Sequence, residues 1–397
     1  MKKLIVGSIF LTHIAFSQNL IHQWAYEDIN LISALEFVSR YGEAREVVVA
    51  IIDPSGVDYT HPYLRDILWK NSGEIPDNGI DDDSNGYVDD YHGVDIANKS
   101  GLQVPTDSHA THIAGIYATS QPNVRVMSIR MNLPEWWTGD SFITLAYVLG
   151  IAVEGIKYAV DNGAEVINLS WGALEEVVEK MAPGYGAFFI ENGIEYAREK
   201  GCLVFIGAGN SNTNSFFPAN IDEPNVLTVS ALGRDNRKAS YSNWAEWVDV
   251  SAPGEVMSSV AGGKFEKKMG TSMATPIIGK VAVLVKQIAP DLTPEEIREI
   301  IINSTIPTDS DYKGYLGRGK VDAELTVKCA YVYSRLYPLW NENRIEIEEL
   351  EELLRTLPEE LLSEEARREV ILTGRELFET ESSPRIALAK LLLHLSR

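Results

Sequence analysis

Val47-Val48-Val49-Ala50-Ile51-Ile52 is an unbroken apolar run, mostly β-branched, that ends at Asp53 and the turn-forming Pro54-Ser55-Gly56. A short apolar run with no polar alternation is the pattern of a strand buried on both faces, as in a parallel sheet. The signal recurs from Val124 onward. Residues 124–129 read as strand, 143–162 as helix, 165–169 as strand, 188–200 as helix, and 203–206 and 225–231 as strands. This alternation predicts an α/β fold, a doubly wound and mostly parallel sheet with helices on both faces. In such sheets functional residues gather at the carboxyl ends of the strands, which makes Asp53 a site candidate. A turn-forming Asp is the plainer reading of the same residue.

A second stretch carries chemistry. Gly270-Thr271-Ser272-Met273-Ala274-Thr275-Pro276 runs directly into the largely apolar 277–288. It predicts a helix with Ser272 at its N-terminus, where free backbone N–H groups point outward and favour developing negative charge. Pro276 is expected in the first turn, where few ladder bonds exist to lose. An ordinary capped core helix has the same pattern, so by itself the stretch leaves both readings open.

With 397 residues the chain is long enough for one large domain and an appendage. Its 35 basic and 57 acidic residues give a formal charge of −22, which argues against nucleic acid or an anionic membrane surface as the main partner. Met1-Lys2-Lys3, the apolar 4–16 and Ala15-Phe16-Ser17 form a basic start, a short apolar core and a small-residue cleavage site. A secretory signal peptide over 1–17 is expected, with export to the periplasm or outside the cell. No later apolar run is long enough to span a bilayer. Cys202 and Cys329 are the only cysteines, too few for a disulfide framework, and Cys202 opens an apolar run as a small buried hydrophobe would.

The acidic segment 77–90, DNGIDDDSNGYVDD, places oxygen ligands at alternate positions before a glycine turn. Asp81, Asp83 and Asn85, the backbone carbonyl of Tyr87, and Asp89 and Asp90 are the candidate ligands of a structural Ca2+, a hard cation that takes oxygens in flexible geometry. The twelfth position is His92 rather than Glu, so the loop is not a complete EF-hand. A solvated acidic loop is the plainer alternative.

His109 lies in HATHIAG, and Asn210 closes the loop Gly207-Ala208-Gly209-Asn210. With Asp53 and Ser272 these residues form an ordered set. The chain here resembles the subtilisin-like serine proteases, through VVVAIIDPSGVDYTHP, HATHIAG, INLSWG, GAGN, SNWAEWVDVSAPG and GTSMATP, from about Trp24 to Leu325. The resemblance implies Ser272 as nucleophile, His109 as base, Asp53 as its orienting acid and Asn210 as oxyanion donor. It further implies that Ser170, Trp171, Gly172 and Gly209 bind an extended polypeptide substrate.

Three departures from the family pattern stand out. Pro54 intervenes between Asp53 and Ser55-Gly56, so a different turn is expected there. Ala110 replaces a glycine after the histidine, and His61-Pro62-Tyr63-Leu64 lacks an acid that often serves a calcium site, so that site is expected to be lost. Phe216, by its distance past GAGN, falls where a small residue often floors the specificity pocket. Its ring either fills that pocket, favouring small or medium apolar side chains, or turns into the core. Trp136 and Trp137 fall in a loop where the family builds outer subsites. The expected organisation is signal peptide 1–17, docking arm 18–46, peptidase domain 47–328 and helical extension 329–397. The extension either docks on the body or binds a partner. Few residues separate signal and arm, so no inhibitory propeptide is expected, and folding is unaided, helped by calcium or takes another route. The implied activity is a secreted serine endopeptidase; a weak or inactive relative that binds peptides or calcium is the alternative.

Overall fold

The computed structural model describes residues 20–336, with 102–104, 122, 134–140, 182–185, 310 and 313 left out, together with 352, 355–358 and 361. The signal segment 1–17, Trp136 and Trp137, and nearly all of the C-terminal extension lie outside the described residues. Two short helices, α1 (Trp24–Glu27) and α2 (Leu31–Tyr41), precede β1 (Val47–Asp53), β2 (Gly93–Asp95) and β3 (Ser100–Gly101). The chain continues through α3 (His109–Ala118), β4 (Val124–Arg130), α4 (Ser141–Asp161), β5 (Val166–Leu169), α5 (Glu175–Met181) and α6 (Gly186–Glu199). Then follow β6 (Leu203–Gly207), β7 (Val226–Leu232), β8 (Val250–Pro253), β9 (Glu255–Val260), β10 (Lys264–Met269) and α7 (Thr271–Ile288). The last elements are α8 (Pro294–Asn303), β11 (Thr305–Ile306), β12 (Lys320–Val321) and α9 (Ala323–Leu336).

The main sheet has ten strands in the order β11-β12-β8-β7-β6-β5-β1-β4-β2-β3. From β12 to β2 every pairing is parallel, and each edge carries one antiparallel strand. The chain first winds from β1 to β4 on one side, then crosses to β5 on the other. β1 therefore sits where the winding reverses, and Asp53 is its last residue.

The apolar run in β1 is needed on both faces. Val47, Val49 and Ile51 join one core with Ile113 and Ile116 of α3, Ile277 and Val281 of α7, and Ile301 of α8. Ala50 and Ile52 join the opposite core with Ile151 and Ile156 of α4 and Ile190 and Ile194 of α6. Each such side chain stabilises the fold by about 1.5–3 kcal/mol on burial. Every residue of α7 is buried.

Pro276 is the sixth residue of α7, not a first-turn residue as expected. It can donate nothing to the Ser272 carbonyl one turn back. The Ser170 hydroxyl donates to that carbonyl instead, at 3.3 Å.

The arm is fastened to the body: the Gln23 side chain pairs with both backbone groups of Met257 at 2.8 and 3.1 Å, and Tyr331 meets Phe37 edge-on and Tyr41 at a tilt. Asn30 bonds Asp322, Lys320 pairs with Asp28 at 3.0 Å, and Ala323 N–H donates to Ile29. Helix α9 runs unbroken across the expected 328/329 boundary, with Cys329 and Val332 in the first core beside Leu357 and Leu361. Both cysteines are free and buried. No helix among the described residues is long and apolar enough to cross a membrane.

Candidate active site

Asp53, at the end of β1, and His109, the first residue of α3, meet directly: Asp53 Oδ2 lies 2.6 Å from His109 Nδ1. Pro54 does not swing the acid out of line. The turn is held by Ser55, whose N–H and hydroxyl both donate to Asp53 Oδ1, at 2.9 and 2.6 Å. Ser55 Oγ accepts the Ala110 N–H at 3.0 Å, and the Ser55 carbonyl accepts the Thr106 N–H. The inserted proline thus places a serine between the acid and the start of the histidine helix. A hydroxyl two residues after a strand-end Asp was the available sequence signal, yet its double use depends on α3.

Burial alone would raise the Asp53 carboxyl, but His109 and the two Ser55 donors hold it below its usual range. Burial likewise pulls the His109 imidazole down, while the hydrogen bond and charge of Asp53, helped by Asp107, outweigh it and leave it above its usual value. A buried ionised carboxylate can only accept, so Nδ1 carries the proton and Nε2 is the basic nitrogen.

Ser272 is the second residue of α7, so its N–H has no intrahelical acceptor. Its hydroxyl donates to the Ser170 carbonyl at 3.2 Å, and rotation about its Cβ–Oγ bond would turn that proton to another acceptor. Asn210 Oδ1 accepts from Thr271 N–H at 2.9 Å and from the Thr271 hydroxyl at 3.3 Å. That fixes the amide orientation and leaves Nδ2 as a donor beside the start of α7. Two N–H donors, from a side chain and from a helix end, then flank one serine.

The segment from Ser170 to Gly172 follows β5. Ser170 Oγ accepts from Asn168 at 2.8 Å, Trp171 is partly buried against the second core, and Ala173 is bridged to Phe217 in antiparallel fashion. Phe216 packs on both flanking glycines. A Cβ at Gly172 would stand 2.5 Å from Phe216 Cε1, and one at Gly209, where φ is +99°, 2.8 Å from the same ring. The ring also packs against the second core, so it spans the gap between the two segments and has the core behind it.

The acidic segment folds differently from the expected loop. Asp81 accepts from Asn85 and Gly86 N–H groups, and Asp89 from Asn78 and Gly79 N–H groups, so both brace turns of the loop. The Tyr87 hydroxyl donates to Glu154, which leaves its backbone carbonyl, the expected ligand atom, out of that bond. The carboxylates that converge are Glu74, Asp83 and Asp90, with ligand oxygens all within 4.8 Å of one another. Of the expected ligands, Asp83 and Asp90 stand in this cluster, and Glu74 joins them from outside the acidic run. Asn85 remains near, its amide donating to Asp90 at 2.9 Å, and Asn71 bridges Asp83 and Asp90. Glu74 and Asn71 precede the acidic run and nothing in its spacing points to them. Glu74 is buried with Oε2 lacking any partner, and burial together with Asp90 and Asp83 holds its carboxyl above the usual range. Three clustered carboxylates, one with an orphaned buried oxygen, suit a hard cation.

Comparison with known proteins agrees with this geometry. Residues 44–324 match the Subtilase family. A thermophilic serine proteinase of Bacillus sp. (strain AK1) is 34% identical over 239 residues, covering 60% of this chain and 51% of that protein. An extracellular protease of Xanthomonas campestris pv. campestris is 28% identical, covering 78% of this chain and 56% of that protein. The chain spans about half the length of the curated relatives it matches. Among solved structures, a protease from Pseudoalteromonas arctica aligns at a TM-score of 0.57 with 27% identity, covering 79% of this chain and 98% of that one. A fold with the acid at the central strand end, the histidine and serine at two helix starts, and a match over most of the chain lead to one assignment: the protein belongs to the subtilase family.

Proposed function

We propose that the protein is an exported serine endopeptidase working through an acyl-enzyme. The observation that carries this reading is the 2.6 Å contact between Asp53 Oδ2 and His109 Nδ1, at the strand end where the winding reverses and on the same edge as Ser272 and Asn210. In the proposed reaction the Ser272 hydroxyl rotates from the Ser170 carbonyl toward the substrate, His109 Nε2 takes its proton, and Oγ attacks the scissile carbonyl. Asn210 Nδ2 and the Ser272 N–H hold the oxyanion. On collapse His109 returns the proton to the leaving amine, and water then repeats the sequence on the ester. Asp53 keeps the imidazole in its tautomer and stabilises the imidazolium.

The Phe216 ring across Gly172 and Gly209 restricts the pocket to small side chains before the scissile bond. The cluster of Glu74, Asp83 and Asp90 holds a structural Ca2+, which neutralises the acids and ties the loop to the body.

The experiment is labelling with a serine-directed fluorophosphonate alongside hydrolysis of a peptide library. Wild type should label and cleave, and Ser272→Ala should do neither. Equal, background-level labelling of both would instead favour a non-catalytic peptide-binding relative, a reading that the Ser272 to Ser170 hydrogen bond keeps in play.

A further inference from the structure

Lys280 stands on α7 beyond Ser272 and is completely buried. No carboxylate pairs with it among the described residues. Burial pulls its amine down to about 7, and buried N–H donors are costly unless they find acceptors. Its Nζ donates to the carbonyls of Tyr117 at 2.9 Å and Thr119 at 2.5 Å. These carbonyls close the C-terminal end of α3, where the helix has no donors of its own and its dipole favours a cation. The helix that begins with His109 is thus held, at its far end, by the helix that begins beside Ser272.

A second tie joins the same two helices. Gly279 lets Tyr117 approach the backbone of α7 so closely that a Cβ there would stand 2.0 Å from the Tyr117 hydroxyl. That hydroxyl donates to Asn168 Oδ1 at 3.2 Å, and Asn168 Nδ2 donates to Ser170 Oγ at 2.8 Å. Ser170 Oγ in turn donates to the Ser272 carbonyl, while the Ser170 carbonyl accepts the Ser272 hydroxyl. Asn168 and Ser170 are buried, in surroundings where hydrogen bonds are strong and misplaced partners are costly.

We propose that Lys280 and Tyr117 are positioning residues that set the register of α3 against α7, and with it the placement of His109 relative to Ser272. A volume-filling apolar side chain at 280 would pack the interface equally well. What the amine adds is a directional grip, two N–H donors on two carbonyls of the histidine helix. The inference rests on the endopeptidase reading for its effect on rate and on geometry alone for its effect on the histidine.

The test uses Lys280→Met and Tyr117→Phe, with Lys286→Met as control. Lys286 is also buried on α7, but it faces Glu165 at 3.6 Å. Two readouts are taken at matched folded fraction: kcat and KM on a peptide substrate, and the low-field NMR resonance of the His109 Nδ1 proton. Misplacement of a catalytic group by a fraction of an ångström lowers kcat by about tenfold or more at unchanged KM. We expect that loss, and a shifted or broadened His109 resonance, in Lys280→Met and Tyr117→Phe. Lys286→Met should lower the thermal midpoint and leave both readouts as in wild type. The proposal is overturned if the two clamp variants match the control in both. If wild type itself hydrolyses nothing, the endopeptidase reading falls, and the resonance alone then decides the clamp.

Discussion

In the proposed mechanism Asp53 sets the pH range in which His109 serves as a base. Its charge leaves the imidazole above the ordinary 6.5, in spite of burial. A base works in its neutral form, so activity is lost as pH falls through that raised value. We expect the acid limb of kcat/KM to lie above pH 6.5, and Asp53→Asn to move it downward while cutting kcat by about 10^4-fold. A limb unmoved by the substitution would separate Asp53 from the base. Phe216 acts at the same scale. Phe216→Gly opens the space beside Gly172 and Gly209, and we expect peptide-library profiling to reveal new cleavage after bulky aromatic residues. A profile identical to wild type would place the ring outside the substrate path.

At the scale of elements, α7 combines a serine that needs exposure at one end with a body that is wholly buried. Pro276 frees the Ser272 carbonyl for Ser170, tying the helix start to the segment after β5. The next helix, α8, begins with a reciprocal capping box, Thr293 accepting from Glu296 N–H and the Glu296 side chain from Thr293 N–H. We expect Thr293→Ala to cost about 1 kcal/mol in a denaturant titration, with catalytic constants unchanged. The burial of β1 is local and was legible as a pattern of residue type. The effect of Pro54 was not, because it is decided by Thr106 and Ala110, which no local rule connects to position 55. Glu74 was hidden for the same reason. Its carboxylate matters through Asp83 and Asp90 across a fold of the loop, and the spacing of the acidic run pointed to those two but not to Glu74.

For the whole molecule, the loop bearing Glu74, Asp83 and Asp90 leans on the second core through Tyr158, whose hydroxyl donates to Asp90 at 2.5 Å. A cation bound to the folded state alone stabilises all of it. We expect excess chelator to lower the thermal midpoint by about 5 °C or more, and Glu74→Gln to abolish most of that difference. An unchanged midpoint would remove calcium from the account.

The clasp between the arm and the start of α9 joins residues 292 apart in the chain. Closing so long a loop is entropically unfavourable, and folds dominated by distant contacts form slowly. During synthesis Asp53 and His109 emerge early, while Ser272 and then the clasp residues Lys320 to Ala323 come near the end of the domain. On the mechanism proposed above, a truncated or stalled chain therefore holds the acid and the base but neither nucleophile nor closed ring. On the endopeptidase reading, the order of emergence leaves an unfinished molecule without the group that would attack the proteins around it.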